Sequence, residues 1–239
     1  MKTMKKPAAK LTVEIKNIGE TAVLTHGGKI AFVTVDYDQD CSNPLEDMDA
    51  MGTIHSFSRR HVNTINPEDL YEYSDDEDAE NGKKLREEYR DGVFLSYFEH
   101  GLCRWGVRGT MSGTPDFCWD GVNTAGIWVP DKYLLEEAKD LKGEAREKKM
   151  IEWAGQACSV YTSWCNGECF GYKVSAYKVR KADDGEVFDQ EDDYRHEKPL
   201  ADDSCWGYIG RDDLEKYMLA ECVAPILTRV FGKKVEVTY

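Results

Sequence analysis

EAREKKMIEWAGQACSVYTSWC, residues 144–165, followed by NGECFGYKVSAYKV, residues 166–179, is the stretch on which the fold turns. In its first part Ile151, Ala154, Ala157, Cys158, Tyr161, Trp164 and Cys165 recur at helical spacing, which predicts one long helix. Asn166-Gly167 ends that helix, because both residues tolerate the left-handed backbone a C-terminus often needs. From Phe170 to Val179 apolar and polar residues alternate as in a strand. The helix is expected to pack on that strand, with Trp153, Tyr161 and Trp164 largely buried.

Upstream, three short β-like runs, Leu11–Ile15, Ala22–Leu24 and Ile30–Val35, are separated by Gly19 and Gly27-Gly28 and read as an antiparallel meander. Residues 1–10 carry Lys2, Lys5, Lys6 and Lys10 with no acid and read as a disordered basic leader. Asn66-Pro67 has the form of a helix start, and Lys83–Tyr89 of a second short helix. Val93–Phe98, Leu102–Val107 and Gly126–Val129 are strand-like, and Pro130-Asp131 opens a mainly helical third of the chain. A last helix is expected from about Asp212 and is stopped by Pro225, before a closing strand at Val235–Tyr239. Strands and helices do not alternate regularly, so a doubly wound parallel sheet is not expected. The class is α+β, largely antiparallel sheet in the N-terminal half with helices concentrated in the C-terminal half. Residues 11–239 form a single domain, or two packed halves dividing near 130.

The formal charge is −14 over 239 residues, and the basic leader leaves −18 on the rest. Glu68–Glu80 holds eight acids and Asp183–Asp203 holds ten. Such a field repels nucleic-acid phosphates and attracts basic protein grooves. Direct nucleic-acid binding is therefore not expected, and a partner protein with a basic surface is. The partner-binding candidates are Asp75, Asp76, Glu77, Asp78 and Glu80 in one run, and Asp183, Asp184, Glu186, Asp189, Glu191, Asp192 and Asp193 in the other. Solvated loops that maintain solubility are the alternative reading of both runs. No apolar run approaches the ~20 residues that span a bilayer, and no signal-peptide core follows the leader. A cytosolic protein with its eight cysteines reduced is the expectation.

Catalytic and metal signatures are sparse. Asp36, Asp38 and Asp40 alternate like the opening of a calcium loop. The sixth position, however, is Cys41 instead of glycine, and the twelfth is Asp47 instead of glutamate. A solvated strand end is the better reading. Cys158, Cys165 and Cys169 lack the close pairing of a zinc knuckle, and Cys158 and Cys165 read as small hydrophobes on one helical face. Neither metal nor cofactor is expected. A thiol nucleophile at Cys205, Cys118 or Cys103, with His61, His100 or His196 as base, stays open because spacing cannot place those pairs. Cys205, between Ser204 and Trp206, reads as part of a packed corner. Arg59-Arg60-His61 is the one compact basic patch inside the acidic body, suited to an anion or to an internal ion-pair anchor.

Several of these residues form a wider pattern. Tyr37-Asp-x-Asp40, Asn43-Pro44, Asp49, Gly52-Thr53, Arg59-Arg60-His61, Trp119-Asp120 and Gly126-Ile127 belong to it. So do Trp164-x-Asn166-Gly167-x-x-x-Gly171-Tyr172 and Asp203-Ser-Cys205-Trp-Gly207. In these positions the chain resembles a family of proteins encoded by bacteriophages and related mobile elements, for which no activity is established. The resemblance implies a phage protein acting in a host cell and implies no mechanism. The two acidic runs depart from the family pattern. Together, charge, motif poverty and resemblance lead to an acidic phage protein that inhibits a host nucleic-acid-acting defence enzyme by occupying its basic cleft. A small cysteine- or metal-dependent hydrolase or transferase, and a virion structural protein, are the alternatives.

Overall fold

Strand β3 (Lys29–Tyr37) pairs on both edges, with β2 (Thr21–His26) through a tight hairpin and with β8 (Cys169–Lys178) in an antiparallel register running from Lys29 opposite Lys178 to Tyr37 opposite Phe170. The computed structural model in which this register is seen describes residues 10–61, 63–65, 89 and 91–239. Most of the basic leader, the Asn66-Pro67 helix start and nearly all of the Lys83–Tyr89 helix lie outside these residues, as do Asp75, Asp76, Glu77, Asp78 and Glu80.

The fold is mixed α and β with two antiparallel four-stranded sheets. Contacts divide the chain into one unit of residues 1–41 with 167–239 and another of 42–166. The first unit carries the sheet β2-β3-β8-β9, where β9 is Ala201–Ile209, so each half of the chain supplies two strands. A two-stranded parallel pair, β1 (Leu11–Glu14) with β10 (Val235–Thr238), joins its termini.

Because side chains alternate across a strand, β3 and β8 bury both faces of this sheet. Ala31, Val33, Val35, Tyr172, Val174 and Ala176 pack against Leu214, Met218, Leu219 and Leu227. Ile30 and Phe32 face the other way, onto Tyr194, with Tyr177, Val187 and Phe188 alongside. The helix that covers the first face winds as a π-helix over Asp213–Val223 and continues as an α-helix, Ala224–Phe231. Its buried residues, Leu214, Met218, Leu219 and Val223, are spaced by four and five, matching the wider i→i+5 turn. Pro225 was expected to stop this helix and does not. It stands where the hydrogen-bond ladder changes from i→i+5 (Ala224 N–H to Leu219 C=O) to i→i+4, so its missing N–H costs little there.

The second unit carries the sheet β4-β7-β5-β6, formed by Thr53–Ser56, Gly121–Val129, Val93–His100 and Leu102–Val107 respectively. Its helices among the described residues are α1 (Pro44–Asp47), α2 (Phe117–Asp120), α3 (Lys132–Glu137) and α4 (Gly143–Cys165). The Asn43 side chain caps α1 by accepting the Leu45 N–H at 3.1 Å, with Pro44 in the first turn. Such a cap contributes about 1 kcal/mol. The predicted helix 144–165 is α4, and Gly167, at φ +72, follows its end.

The buried face of α4 is Met150, Trp153, Ala154, Ala157 and Cys158, with Tyr161 partly covered; Ile151 is 42% exposed and Cys165 lies at the surface. This face packs on Leu95, Trp105 and Trp128 of its own unit's sheet, whereas Phe170–Val179 became the central strand β8 of the other unit. The boundaries after Cys41 and Asn166 also replace the expected division near 130. There, Trp128 is fully buried with its indole N–H on the Met51 carbonyl at 2.8 Å, and the Asp131 carboxylate caps α3 while accepting the Gly52 N–H. Residue 130 is thus interior to a unit.

Gly126 and Gly171 are two of the glycines that mark close approaches. A Cβ at Gly126 would lie 2.4 Å from the His55 carbonyl oxygen across the β4–β7 pair, and one at Gly171 would lie 2.1 Å from the Trp206 ring. Backbone cannot give way, but Trp206 is 50% exposed and its ring can swing outward. Gly126→Ala is expected to destabilise by about 2–3 kcal/mol and Gly171→Ala by at most about 1 kcal/mol, with a shift in tryptophan emission only for the latter. Urea unfolding of both variants checks this, and equal or reversed losses would contradict the packing described.

Candidate functional site

The second acidic run is an ordered structure built on β8. After Lys178 the chain turns at Asp183-Asp184-Gly185, with an antiparallel bridge between Lys181 and Val187, and Gly185 at φ +89. The Asp184 carboxylate accepts the Glu186 N–H at 3.0 Å, and Ala182 N–H reaches the Glu186 carbonyl at 2.8 Å. Val187 and Phe188 then turn inward, and a 3₁₀ turn at Glu191–Tyr194 drops Tyr194 fully into the sheet face. Tyr194 stacks at 5.1 Å on Tyr177 and tilts at 5.6 Å against Phe32. Its hydroxyl donates to the Phe188 carbonyl at 2.8 Å and accepts the Arg180 N–H at 3.2 Å. The Arg180 guanidinium lies over Phe188 and binds the Asp193 carbonyl, which clamps both ends of the loop together.

The seven candidate carboxylates here do not play one part. Glu191 is turned inward: it accepts the buried Ser175 hydroxyl at 2.6 Å and stands 3.6 Å from Lys173. Asp193 is half-buried. Asp183, Asp184, Glu186, Asp189 and Asp192 face solvent. The five acids of the first run lie outside the described residues. Burial of Val187, Phe188 and Tyr194 had a sequence signal, three apolar residues set within the acidic run.

The second unit also holds strongly perturbed chemical groups. His61, Tyr97, Trp105, Tyr161 and Trp164 form a chain of rings, with Tyr97–Trp105 centroids at 4.7 Å and Tyr161–Trp164 stacked at 5.7 Å. The Tyr97 hydroxyl donates to Glu99 at 2.9 Å, and burial together with that carboxylate pushes its pKa far up. Cys103 lies across from Glu99 on β6. The last turn of α4 docks on the same strand. The Asn166 amide accepts the Cys103 N–H and donates to the Cys103 carbonyl, both at 2.9 Å, while Thr162 Oγ1 accepts the Trp105 N–H at 2.9 Å. Cys165 thereby meets Cys103, and the hydrogen bond between the two thiols lowers the Cys103 pKa below the usual thiol value. Sequence reading placed Cys165 on the apolar face; no spacing signal links residues 62 positions apart.

The three candidate histidines each have another partner. His61 Nδ1 shares a 2.6 Å hydrogen bond with Ser56 Oγ, and Ser56 is itself buried and accepts the Ser58 N–H. His100 pairs with Asp120 at 2.8 Å, and His196 accepts from Arg195. Cys205 is exposed in mid-strand, so the expected packed corner is corrected: it is the neighbouring Trp206 ring that covers Gly171. Asp36 and Asp38 accept nearby backbone N–H groups, at Tyr37 and Asp40, so both act at the strand end. Among the described residues no three His, Cys, Asp or Glu side chains converge where a metal could sit. A cleft of about 480 Å³ beside α4 contains Arg146, already held by Asp91 at 2.7 and 2.8 Å. No helix among the described residues is long and apolar enough to cross a membrane. No family model, curated protein or solved structure matches the chain.

Burial, then the neighbouring Arg60 charge, lowers the His61 pKa, with Glu99 opposing. The unfolded chain therefore binds this proton more readily than the folded one, and the stability that neutral His61 contributes is present above about pH 6.5 and lost on acidification. Stability is expected to fall between about pH 7 and pH 5, and less steeply in His61→Gln. Unfolding midpoints across that range check this; an unchanged slope in the variant would contradict it.

Proposed function

We propose that this chain is a phage-encoded acidic interaction protein that inhibits a host nucleic-acid-acting defence enzyme in the host cytoplasm by occupying its basic cleft. The observation that carries the reading is the anchoring of the Asp183–Asp193 segment. Val187, Phe188 and Tyr194 are held against the sheet while Asp183, Asp184, Glu186, Asp189 and Asp192 are left in solvent. A dangling acidic loop would lose much of its attraction to the entropy of ordering on binding. A pre-ordered one loses far less. Its field is part of that of a chain whose net charge is −14, and it steers encounter with a groove that otherwise takes phosphates. Mobile-element resemblance and the scarcity of catalytic motifs support the same reading.

The test uses host nucleic-acid-acting enzymes captured from lysate and then purified. Binding should compete with duplex DNA and weaken steeply between about 50 and 500 mM salt, because exposed charge attraction is screened over ~8–10 Å at physiological ionic strength. Replacing Asp183, Asp184, Glu186, Asp189 and Asp192 by Asn or Gln should weaken it at least about tenfold, at a few tenths of a kcal/mol per carboxylate. Salt-insensitive binding, or a neutralised variant that binds as well, would overturn the proposal.

A further inference from the structure

Several thiols make contacts among the described residues, and one pair differs from the others. Cys169 is buried and hydrogen-bonded to Cys41, and burial pushes its pKa up to about 12. Cys222 shares a 3.2 Å contact with the Tyr208 hydroxyl. Cys103 alone is both partly accessible and drawn toward the thiolate, through the hydrogen bond from Cys165. Its partner is exposed, and the two are held together by a fixed frame: the Asn166 amide accepts the Cys103 N–H and donates to the Cys103 carbonyl, and the Trp105 N–H donates to Thr162 Oγ1. Cys158, on the same helix, is buried with its pKa pushed up to about 12, and takes no part.

We propose that Cys103 and Cys165 form an oxidation-sensitive dithiol that hydrogen peroxide converts into an intramolecular disulfide. The Cys103 thiolate attacks one peroxide oxygen, the O–O bond breaks, and the departing hydroxide is protonated to water, leaving a sulfenic acid on Cys103. The Cys165 sulfur then attacks the sulfenic sulfur, the S–S bond forms, and the hydroxyl leaves with the Cys165 proton as a second water. Two thiols are oxidised and one peroxide is reduced. The product links the C-terminal turn of α4 to β6, independently of any partner bound at the acidic segment.

The experiment treats the full reduced chain with one equivalent of hydrogen peroxide, followed by tryptic mapping. Fragment 91–104, which carries Cys103, should become linked to fragment 150–173, with loss of two hydrogens and no dimer. Cys165→Ser should abolish the link, whereas Cys158→Ser and Cys169→Ser, in the same fragment, should leave it. In the unmodified chain at neutral pH, iodoacetamide should alkylate Cys103 about threefold faster than the exposed Cys118. This second reading does not depend on any variant folding. A link between other cysteines, a link that survives Cys165→Ser, over-oxidation of Cys103 without a link, or slower alkylation of Cys103 would each overturn the proposal.

Discussion

The antiparallel pairing of Lys29–Tyr37 with Phe170–Lys178 is the constraint from which the rest follows. It joins segments far apart in sequence, so its loop-closure entropy is offset only by burying both faces at once. Alternation along the two strands does this. One set of side chains takes the π-to-α helix, and the other takes Phe188 and Tyr194 from the segment after β8. Residues 42–166 fall between the two strands in sequence only and build their own core around Trp128, Trp105 and the inner face of α4.

The acidic segment is therefore the cover of a sheet face as well as a charged surface. Its inward residues contribute through hydrophobic burial, at about 1.5–3 kcal/mol for a fully buried large side chain. Its outward carboxylates contribute little to stability in water. The two roles divide residue by residue, and Glu191 shows the boundary: it stands among acids yet is bonded to Ser175 and lies near Lys173. An acid-rich stretch can thus be rigid without its charges being neutralised.

Much of the secondary structure was legible in the sequence. The Glu144–Cys165 periodicity and its Asn166-Gly167 end correspond to α4, and the runs at Ile30–Val35 and Phe170–Val179 correspond to β3 and β8. Local patterns report local geometry, so the pairing of β3 with β8 and the discontinuous unit left no trace in either run. Pro225 misled because its usual cost assumes an α-helical ladder, which is absent at the turn preceding it. The Cys103–Cys165 contact depends on how α4 meets a strand edge, and on no motif. In the acidic run the charges were obvious, but Val187, Phe188 and Tyr194 were the residues that decided its structure.

Whether the carboxylates sit on an ordered platform is the point on which the functional account stands. Hydrogen–deuterium exchange over residues 180–197 of the full chain tests it most directly. The account predicts slow exchange at Glu186, Phe188 and Glu197, whose N–H groups are bonded to Asp184, Arg180 and Tyr194, while the amides at the Asp183-Asp184 tip exchange freely. Uniform, unprotected exchange across the whole segment would contradict it and leave those acids as a solvated loop.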